Sequence, residues 1–141
     1  MSRIVVDASV AVKWFLPEEQ SESARSLLRS GHQLFAPELI YAEVGSVLRK
    51  RARGGEIQDA VALDVLAMLR ALRMDIHSMR PLLEAAWRVS TACQISFYDS
   101  VYLALAVAQD AKVVTADRRF YNSILASDLG EHMLWVAEKV A

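Results

Sequence analysis

Cysteine is nearly absent from this chain of 141 residues, and several familiar functional motifs are missing with it. The single cysteine, Cys93, excludes an intrachain disulfide, which is typical of proteins of the reducing cytoplasm. The five glycines form neither a P-loop nor a dinucleotide fingerprint, and no G-x-S-x-G motif occurs. The three histidines have no zinc-ligand spacing with each other or with the cysteine. These absences argue against nucleotide-loop, serine-hydrolase and zinc-binding functions.

Long apolar runs are missing as well. No run reaches the ~18–20 residues that a membrane helix needs, and the first residues lack the apolar region of a signal peptide. We therefore expect a cytoplasmic protein without a membrane partner. The hydrophobic fraction is nevertheless 54% and the mean hydropathy is +0.21. That excess favours a large core together with an apolar surface reserved for a protein partner.

The numbers of basic and acidic residues are nearly equal, at 16 and 17. The formal net charge is −1, which argues mildly against a nucleic-acid binder because such proteins are usually basic. Positive charge is concentrated locally, in the run 49–53 and in the pair Arg118 and Arg119. The run 49–53 can equally complement the dipole of a helix C-terminus, so contact with a nucleic acid is left open.

Short β-branched segments alternate with segments of helical periodicity along the whole chain. Strands are predicted at 3–6, 33–36, 74–77 and 112–115, and the segment 132–137 favours one more. Pro37 is expected to open the third helix, and Pro81 the helix after the third strand. Strands that alternate with helices call for a parallel sheet with right-handed crossovers. The prediction is an α/β fold in one domain covering residues 1–141.

Four acids carry the functional signal: Asp7, Glu43, Asp99 and Asp117. Asp7 and Asp117 follow predicted strands, and Asp99 begins the helix before the strand at 112–115. Open α/β sheets bind ligands outside the carboxyl ends of their strands, so these acids can meet there. Gathered carboxylates repel one another unless a cation holds them, and Mg²⁺ or Mn²⁺ prefers such oxygen ligands. The pattern points to metal-assisted phosphodiester chemistry by one or two ions.

Each acid also has a purely structural interpretation. Asp7 and Asp117 can be helix N-caps, and Asp99 can belong to a capping box that starts at Ser96. Glu43 lies on the apolar stripe of its helix, where a charge is costly unless it is paired or bound to metal. Its structural interpretation is a boundary residue that reaches solvent or pairs with an arginine.

Polar residues near the acids could support the same chemistry. Hydroxyl groups could hold a water or a phosphate oxygen, although local cap or turn bonds are an open alternative for each. The candidates are Ser9, Ser46, Ser100 and Thr115. Arg118 and Arg119 could meet a phosphate, and a plain surface role remains open for both. Aromatic residues, Tyr98 among them, fall in helical patterns, so we expect them in the core or an interface rather than under a stacked base.

Four segments in a fixed order resemble a known family. IVVDASVAVKWFLPEE, PELIYAEVGSVLRK, ISFYDSVYLALAVAQ and VVTADRRF together resemble PIN-domain proteins, and more narrowly the VapC-type toxins of bacterial toxin–antitoxin pairs. The resemblance covers the whole chain. It implies a three-layer α/β/α sandwich around a short central parallel sheet. It also implies an endoribonuclease that depends on Mg²⁺ or Mn²⁺ and cleaves RNA with a metal-activated water.

The family's four acids fall on Asp7, Glu43, Asp99 and Asp117, with Asp7 and Asp99 implied as the most direct metal ligands. The small polar residue after the first acid matches Ser9, and the T-x-D signature matches Thr115 and Asp117. The resemblance further implies a homodimer, inhibited by a small antitoxin whose C-terminal segment fills the acidic groove.

Two other functions compete with this one. A phosphoacceptor receiver domain is also a small α/β domain with an Asp-lined Mg²⁺ site, but it needs an acidic pair after the first strand and a lysine after a late strand. Here Val5 and Val6 precede Asp7, and arginines follow Asp117. The third interpretation is a non-catalytic partner-binding domain in which the acids only cap helices. The intact acid set and the position of Glu43 weigh against it.

Overall fold

The alternation of strands and helices predicted from the sequence is present in the computed structural model, which describes residues 2–138. The strands are β1 (Arg3–Val6), β2 (Gln33–Pro37), β3 (Asp75–His77), β4 (Lys112–Thr115) and β5 (Met133–Trp135). The helices are α1 (Ala8–Phe15), α2 (Ser21–Leu28), α3 (Leu39–Arg53), α4 (Asp59–Ala71), α5 (Leu83–Cys93), α6 (Phe97–Ala108) and α7 (Arg118–Leu125). Short 3₁₀ turns precede α5 and β5.

The sheet is parallel throughout, in the order β3-β2-β1-β4-β5. Central β1 sets the register, with Val5 opposite Phe35 of β2 on one side and Val113 of β4 on the other. Parallel strands need crossover helices, which cover the faces of the sheet. The predicted α/β/α sandwich around a parallel sheet is confirmed. Since β1 and β4 are neighbours, Asp7 and Thr115 at their carboxyl ends are brought side by side.

The core lies around β1, β4 and α6. After one exposed basic residue, both strands are β-branched and buried on both faces, as expected for the middle of a parallel sheet. Helix α6 is buried from Ser100 to Ala106 and contacts β1, β2 and β4. It is therefore the central helix that its nearly all-round apolar character predicts. None of the helices described between residues 2 and 138 is long and apolar enough to cross a membrane.

One of the two prolines expected to open a helix departs from the prediction. Pro37 was expected to open the third helix, but it ends β2 in register with His77, and α3 begins at Leu39. A proline is tolerated at a strand end because the missing N–H interrupts no further ladder bond. Pro81 lies in the 3₁₀ turn Arg80–Leu82, which leads directly into α5.

Candidate active site

Asp7 is a buried carboxylate held by two hydroxyl groups. It occupies the N-cap position of α1, yet its side chain makes no capping bond, so the structural interpretation as a cap is wrong for this residue. Its Oδ2 accepts hydrogen bonds from Ser9 Oγ at 2.7 Å and from Thr115 Oγ1 at 2.8 Å. The residue is only 5% exposed. Burial raises the pKa of Asp7, the two hydroxyls oppose that rise, and repulsion by Asp117 adds to it.

The same hydroxyls tie the ends of β1 and β4 together. Ser9 Oγ accepts from the Ala116 backbone N–H at 3.0 Å, and Thr115 Oγ1 accepts from that of Asp117 at 3.0 Å. Each hydroxyl thus donates to Asp7 and accepts from the β4–α7 connection. This network holds Asp7 Oδ2 in one orientation and leaves Oδ1 outside these two hydroxyl bonds.

Glu43 is the least compensated charge of the site. Its Oε1 is buried and has no hydrogen-bond partner, and no ion pair between residues 2 and 138 includes it. The arginine partner that was one alternative for Glu43 is absent from residues 2–138, where Arg51 of the same helix pairs with Glu18. Burial is the main cause that raises the pKa of Glu43, and repulsion by Asp7 raises it further.

Tyr102 is a neighbour of Glu43 that sequence reasoning did not single out. Its side chain is fully buried in α6, three residues after Asp99. Its hydroxyl lies close enough to lower the pKa of Glu43, but neither the hydroxyl nor Glu43 Oε1 is in good hydrogen-bond geometry. The spacing from Asp99 was the available signal, because residues three apart share a helix face.

Asp99 lies in the first turn of α6. Its backbone N–H donates to Ser96 Oγ at 3.1 Å, which is one of the two bonds of the predicted capping box. That bond involves the backbone N–H of Asp99 and does not account for the position of its carboxylate beside the other acids. Burial, followed by repulsion from Asp7 and Asp117, raises the pKa of Asp99 to about 7. Contact with Ser96 opposes this rise, while Glu43 adds a smaller repulsion.

Asp117 is exposed and caps α7. Its Oδ1 accepts from the backbone N–H groups of Arg119 at 3.0 Å and Phe120 at 3.2 Å. The structural interpretation as an N-cap is therefore confirmed for Asp117. The residue still repels Asp7 and Asp99 electrostatically. Asp117 Oδ1 therefore caps α7, while the negative charge of the carboxylate still contributes to the acid cluster.

The remaining predicted residues separate into two groups. Ser9 and Thr115 belong to the Asp7 network, and Arg119 lines a cleft with Asp99 and Asp117. Ser46 is exposed beside Glu43. In contrast, Ser100 donates to the Ser96 carbonyl at 2.8 Å, which is the local bond left open from sequence. Arg118 lies 3.6 Å over the Trp135 ring and is occupied there.

Two clefts flank the acids. The α3-side cleft lies between α3 and the start of α6, and its lining includes Glu43, Ser46, Lys50 and Tyr98. The α7-side cleft lies between α6 and α7, and its lining includes Gln94, Asp99, Asp117 and Arg119. The sequence placed Tyr98 in the core or in an interface, and its exposed ring on the edge of the α3-side cleft shows that it does not belong to the core. Periodicity could not separate it from its partly buried neighbour Phe97.

The acid cluster suits a hard divalent cation in its chemistry. Its donors are all oxygens, three of its carboxylates have raised pKa values, and Glu43 Oε1 is buried without a partner. Within residues 2–138, however, no three acidic, histidine or cysteine groups form a ready-made ligand set. The carboxylates repel one another and do not yet surround a single point. A bound ion would therefore have to draw them closer together or be held partly through water molecules.

Comparison with known proteins identifies similar sequences and a family model that matches most of the chain. The model of the PIN domain family matches residues 4–123. Ribonuclease VapC3 of Pyrobaculum aerophilum is 32% identical over 121 residues, covering 83% of this chain and 91% of that protein.

Two solved structures share the fold. VapC20 of Mycobacterium tuberculosis, described as a sarcin–ricin loop cleaving toxin, has a TM-score of 0.67 at 17% identity, over 85% of this chain and 94% of that one. A chain of a toxin–antitoxin complex from Klebsiella pneumoniae has a TM-score of 0.63 at 15% identity, over 96% and 99% of the two chains. At these identities the structures show the fold alone.

Proposed function

This chain belongs to the PIN-domain family, and we propose that it is a metal-dependent endoribonuclease acting as the toxin of a toxin–antitoxin pair. The observation that carries the proposal is the acid cluster at the carboxyl edge of the sheet. Asp7, Glu43 and Asp99 have raised pKa values, and no basic side chain described in residues 2–138 forms an ion pair with them. A site that keeps uncompensated carboxylates at a destabilising cost is typical of function.

The proposed cofactor is Mg²⁺ or Mn²⁺. Asp7 and Asp99 would be its principal ligands, with Glu43 and Asp117 completing the anionic site. When bound, such an ion supplies a water of lowered pKa and an electrophilic partner for phosphate oxygens. The proposed products therefore carry a 3′-hydroxyl and a 5′-phosphate.

The residues of the chain supply orientation and charge. Ser9 and Thr115 fix the Asp7 carboxylate through Oδ2, which keeps its orientation from depending on solvent. Asp117 can offer the cluster its second oxygen while Oδ1 caps α7. Arg119, in the α7-side cleft beside Asp99 and Asp117, would neutralise a phosphate oxygen of the RNA.

The competing functions fit less well. A receiver domain is excluded by membership in the PIN-domain family. In a non-catalytic domain with capping acids, Asp7 should cap α1, and Glu43 should reach solvent or pair with an arginine. Within residues 2–138, Asp7 makes no side-chain capping bond and Glu43 Oε1 is buried without a partner.

The proposed assembly includes an antitoxin and a second copy of the chain. An antitoxin partner is supported by the fold shared with a chain of a toxin–antitoxin complex. A homodimer is supported by exposed apolar side chains on α4 and α5, among them Leu63, Met68 and Trp87. We also propose that residues 1–141 act as one domain and that the protein is cytoplasmic. Light scattering of the purified chain, alone and with a co-expressed antitoxin, tests the two assembly proposals.

The test of the activity is incubation with total RNA in Mg²⁺, in Mn²⁺ and in EDTA, followed by mapping of the cut ends. We expect discrete cuts with 3′-hydroxyl ends in either metal and none in EDTA. Cuts that persist in EDTA, or that end in a 2′,3′-cyclic phosphate, would contradict metal-assisted hydrolysis.

A further inference from the structure

Tyr98 is an aromatic side chain exposed next to the acid cluster. It precedes Asp99 in the first turn of α6, is 59% exposed, and takes part in no ring stacking or hydrogen bond with the rest of residues 2–138. Its neighbour Phe97 instead packs against the core. An exposed ring without partners offers a flat apolar face on which a base or another planar group can stack.

The wall of the α3-side cleft formed by α3 carries three polar side chains of different charge. Glu43, Ser46 and Lys50 are spaced three and four residues apart, so they follow one face of α3, and all three line the cleft. Lys50 lies two helical turns beyond Glu43, about 10 Å along the axis. The cleft thus runs from carboxylate to hydroxyl to ammonium, with Tyr98 facing it from α6.

Lys50 has no ion-pair partner among the described residues. Neighbouring Arg51 and the nearby Lys13 both pair with Glu18, whereas Lys50 takes part in no ion pair within residues 2–138. Ser46 likewise makes no hydrogen bond through its side chain there. The hydroxyl and the ammonium are therefore free to bind an outside ligand.

We propose that the α3-side cleft binds one nucleotide of single-stranded RNA adjacent to the cleaved phosphate. Its base stacks on the Tyr98 ring, and the phosphate on its far side binds the Lys50 ammonium. The Ser46 hydroxyl contacts the sugar–phosphate backbone between the base and that phosphate. This subsite rests on the proposed ribonuclease function and adds to it the substrate class, because an unpaired base can stack on a protein side chain without first breaking a base pair.

Charge favours RNA over a protein segment as the occupant. The cluster beside the cleft is anionic and the chain carries no net positive charge, so backbone phosphates need a local cation, which Lys50 provides. A cation-bearing protein segment would be attracted to the carboxylates but repelled by Lys50. With a metal ion at the acids, one end of the cleft would suit the cleaved phosphate, and Lys50 at the other end suits the next phosphate.

The test uses the full chain and a single-stranded oligoribonucleotide that spans a mapped cut. Tyr98→Ala and Tyr98→Leu should lower kcat/KM about 5- to 100-fold, the range expected for one stacked base, while Tyr98→Phe keeps the wild-type value. An abasic nucleotide is then placed at each position around the cut in turn. At one position it should weaken wild-type cleavage strongly and leave Tyr98→Ala unaffected. Val107→Ala removes an exposed apolar side chain from the same helix, outside both clefts, and is the control that should behave as wild type.

Lys50→Gln tests the phosphate contact. The slope of log Kd against log salt for the same oligonucleotide should become shallower by about 0.7, the value for one single-strand phosphate. Lys112→Gln, at the amino end of β4, is the control and should leave the slope unchanged. Thermal melts establish that every variant is folded, and Tyr98→Leu retains an apolar side chain if Tyr98→Ala is unstable.

The outcomes separate this inference from the ribonuclease proposal. No cleavage by the wild-type chain would overturn the ribonuclease function itself. Normal cleavage by Tyr98→Ala, or an abasic effect equal in wild type and variant, would overturn the subsite alone. Normal cleavage by Tyr98→Ala together with loss of a co-expressed antitoxin would assign the cleft to a protein partner and also overturn the subsite.

Discussion

At the scale of single residues, the site is defined by what its carboxylates lack. Asp7 is buried with only hydroxyl donors around its Oδ2, and Glu43 keeps a buried oxygen with no partner. A buried charge without a counter-charge costs free energy, and the raised pKa values express that cost. A bound cation would remove it, so stability and activity should respond to the same substitutions in opposite directions.

Neutralising a principal ligand should abolish cleavage. We expect Asp7→Asn and Asp99→Asn each to lower the RNA cleavage rate at least about 100-fold, by analogy with loss of one group that stabilises transition-state charge. Both amides are close in size to the carboxylates, so circular dichroism should show an intact fold. Asp64→Asn, an exposed acid on α4, should keep full activity. Full activity in either ligand variant would refute the metal site.

Removing the charge of Glu43 should stabilise the metal-free chain. Glu43→Gln relieves repulsion from Asp7 and the burial of an unpaired charge, so we expect its Tm in EDTA to rise by about 2–4 °C. Saturating Mn²⁺ should raise the Tm of the wild type more than that of the variant. Glu56→Gln, an exposed acid after α3, serves as the control. A clear fall in the Tm of Glu43→Gln would instead indicate a structural role for the carboxylate.

At the scale of elements, two strand-to-helix junctions with similar local sequence behave differently. Asp7 and Asp117 both follow a buried strand and occupy an N-cap position, yet only Asp117 caps its helix. The difference comes from the neighbours, because Ser9 and Thr115 capture the Asp7 side chain, while Asp117 projects from the surface and meets only the N–H groups of α7. The cap and the charge of Asp117 can therefore be separated by substitution.

Asp117→Asn should keep the cap and lose the charge. Asparagine caps about as well as aspartate, so the Tm should stay within 1–2 °C of wild type by the roughly equal ranking of the two caps, while cleavage falls. Asp117→Ala loses both, and we expect an added destabilisation of about 0.5–2 kcal/mol from the open end of α7. Urea unfolding and cleavage assays on the two variants measure the terms separately. Equal stability of both variants would contradict a capping role.

At the scale of the whole molecule, the acid cluster links folding to pH and to metal. The pKa values of Asp7, Glu43 and Asp99 are raised in the folded chain, so the folded state binds more protons than the unfolded state between about pH 4 and pH 7. Metal-free stability should therefore fall as pH rises through that range, with Asp99 extending the fall to about pH 7. This sign is opposite to that of ordinary ion-paired carboxylates.

Unfolding in EDTA at pH 5, 6, 7 and 8 measures this dependence. We expect the free energy of unfolding to decrease over the series, and Mg²⁺ or Mn²⁺ to reduce the decrease because a cation favours the charged carboxylates. Asp99→Asn should flatten the curve near its upper end. Stability that increases with pH in EDTA would contradict the raised pKa values.

Much of the architecture was predictable because it depends on local pattern. The β-branched runs of β1 and β4 and the all-round apolar α6 predict buried parallel strands and a central helix, and the structure confirms them. Glu43 was recognisable because a charge on an apolar stripe needs an explanation. Pro37 was not predicted correctly, since its missing N–H suits a strand end as well as a helix start.

The order of the elements, the four acids and the family resemblance are readable from the chain, because periodicity and residue type are local properties. Three features needed the folded molecule: the two hydroxyls of Ser9 and Thr115 on Asp7, the capping of α7 by Asp117, and the exposure of Tyr98 beside Lys50. Each of these depends on which side chains from distant segments meet. The physical reason is that burial and hydrogen-bond partners are set by the packing of β1 against β4 and of α3 beside α6.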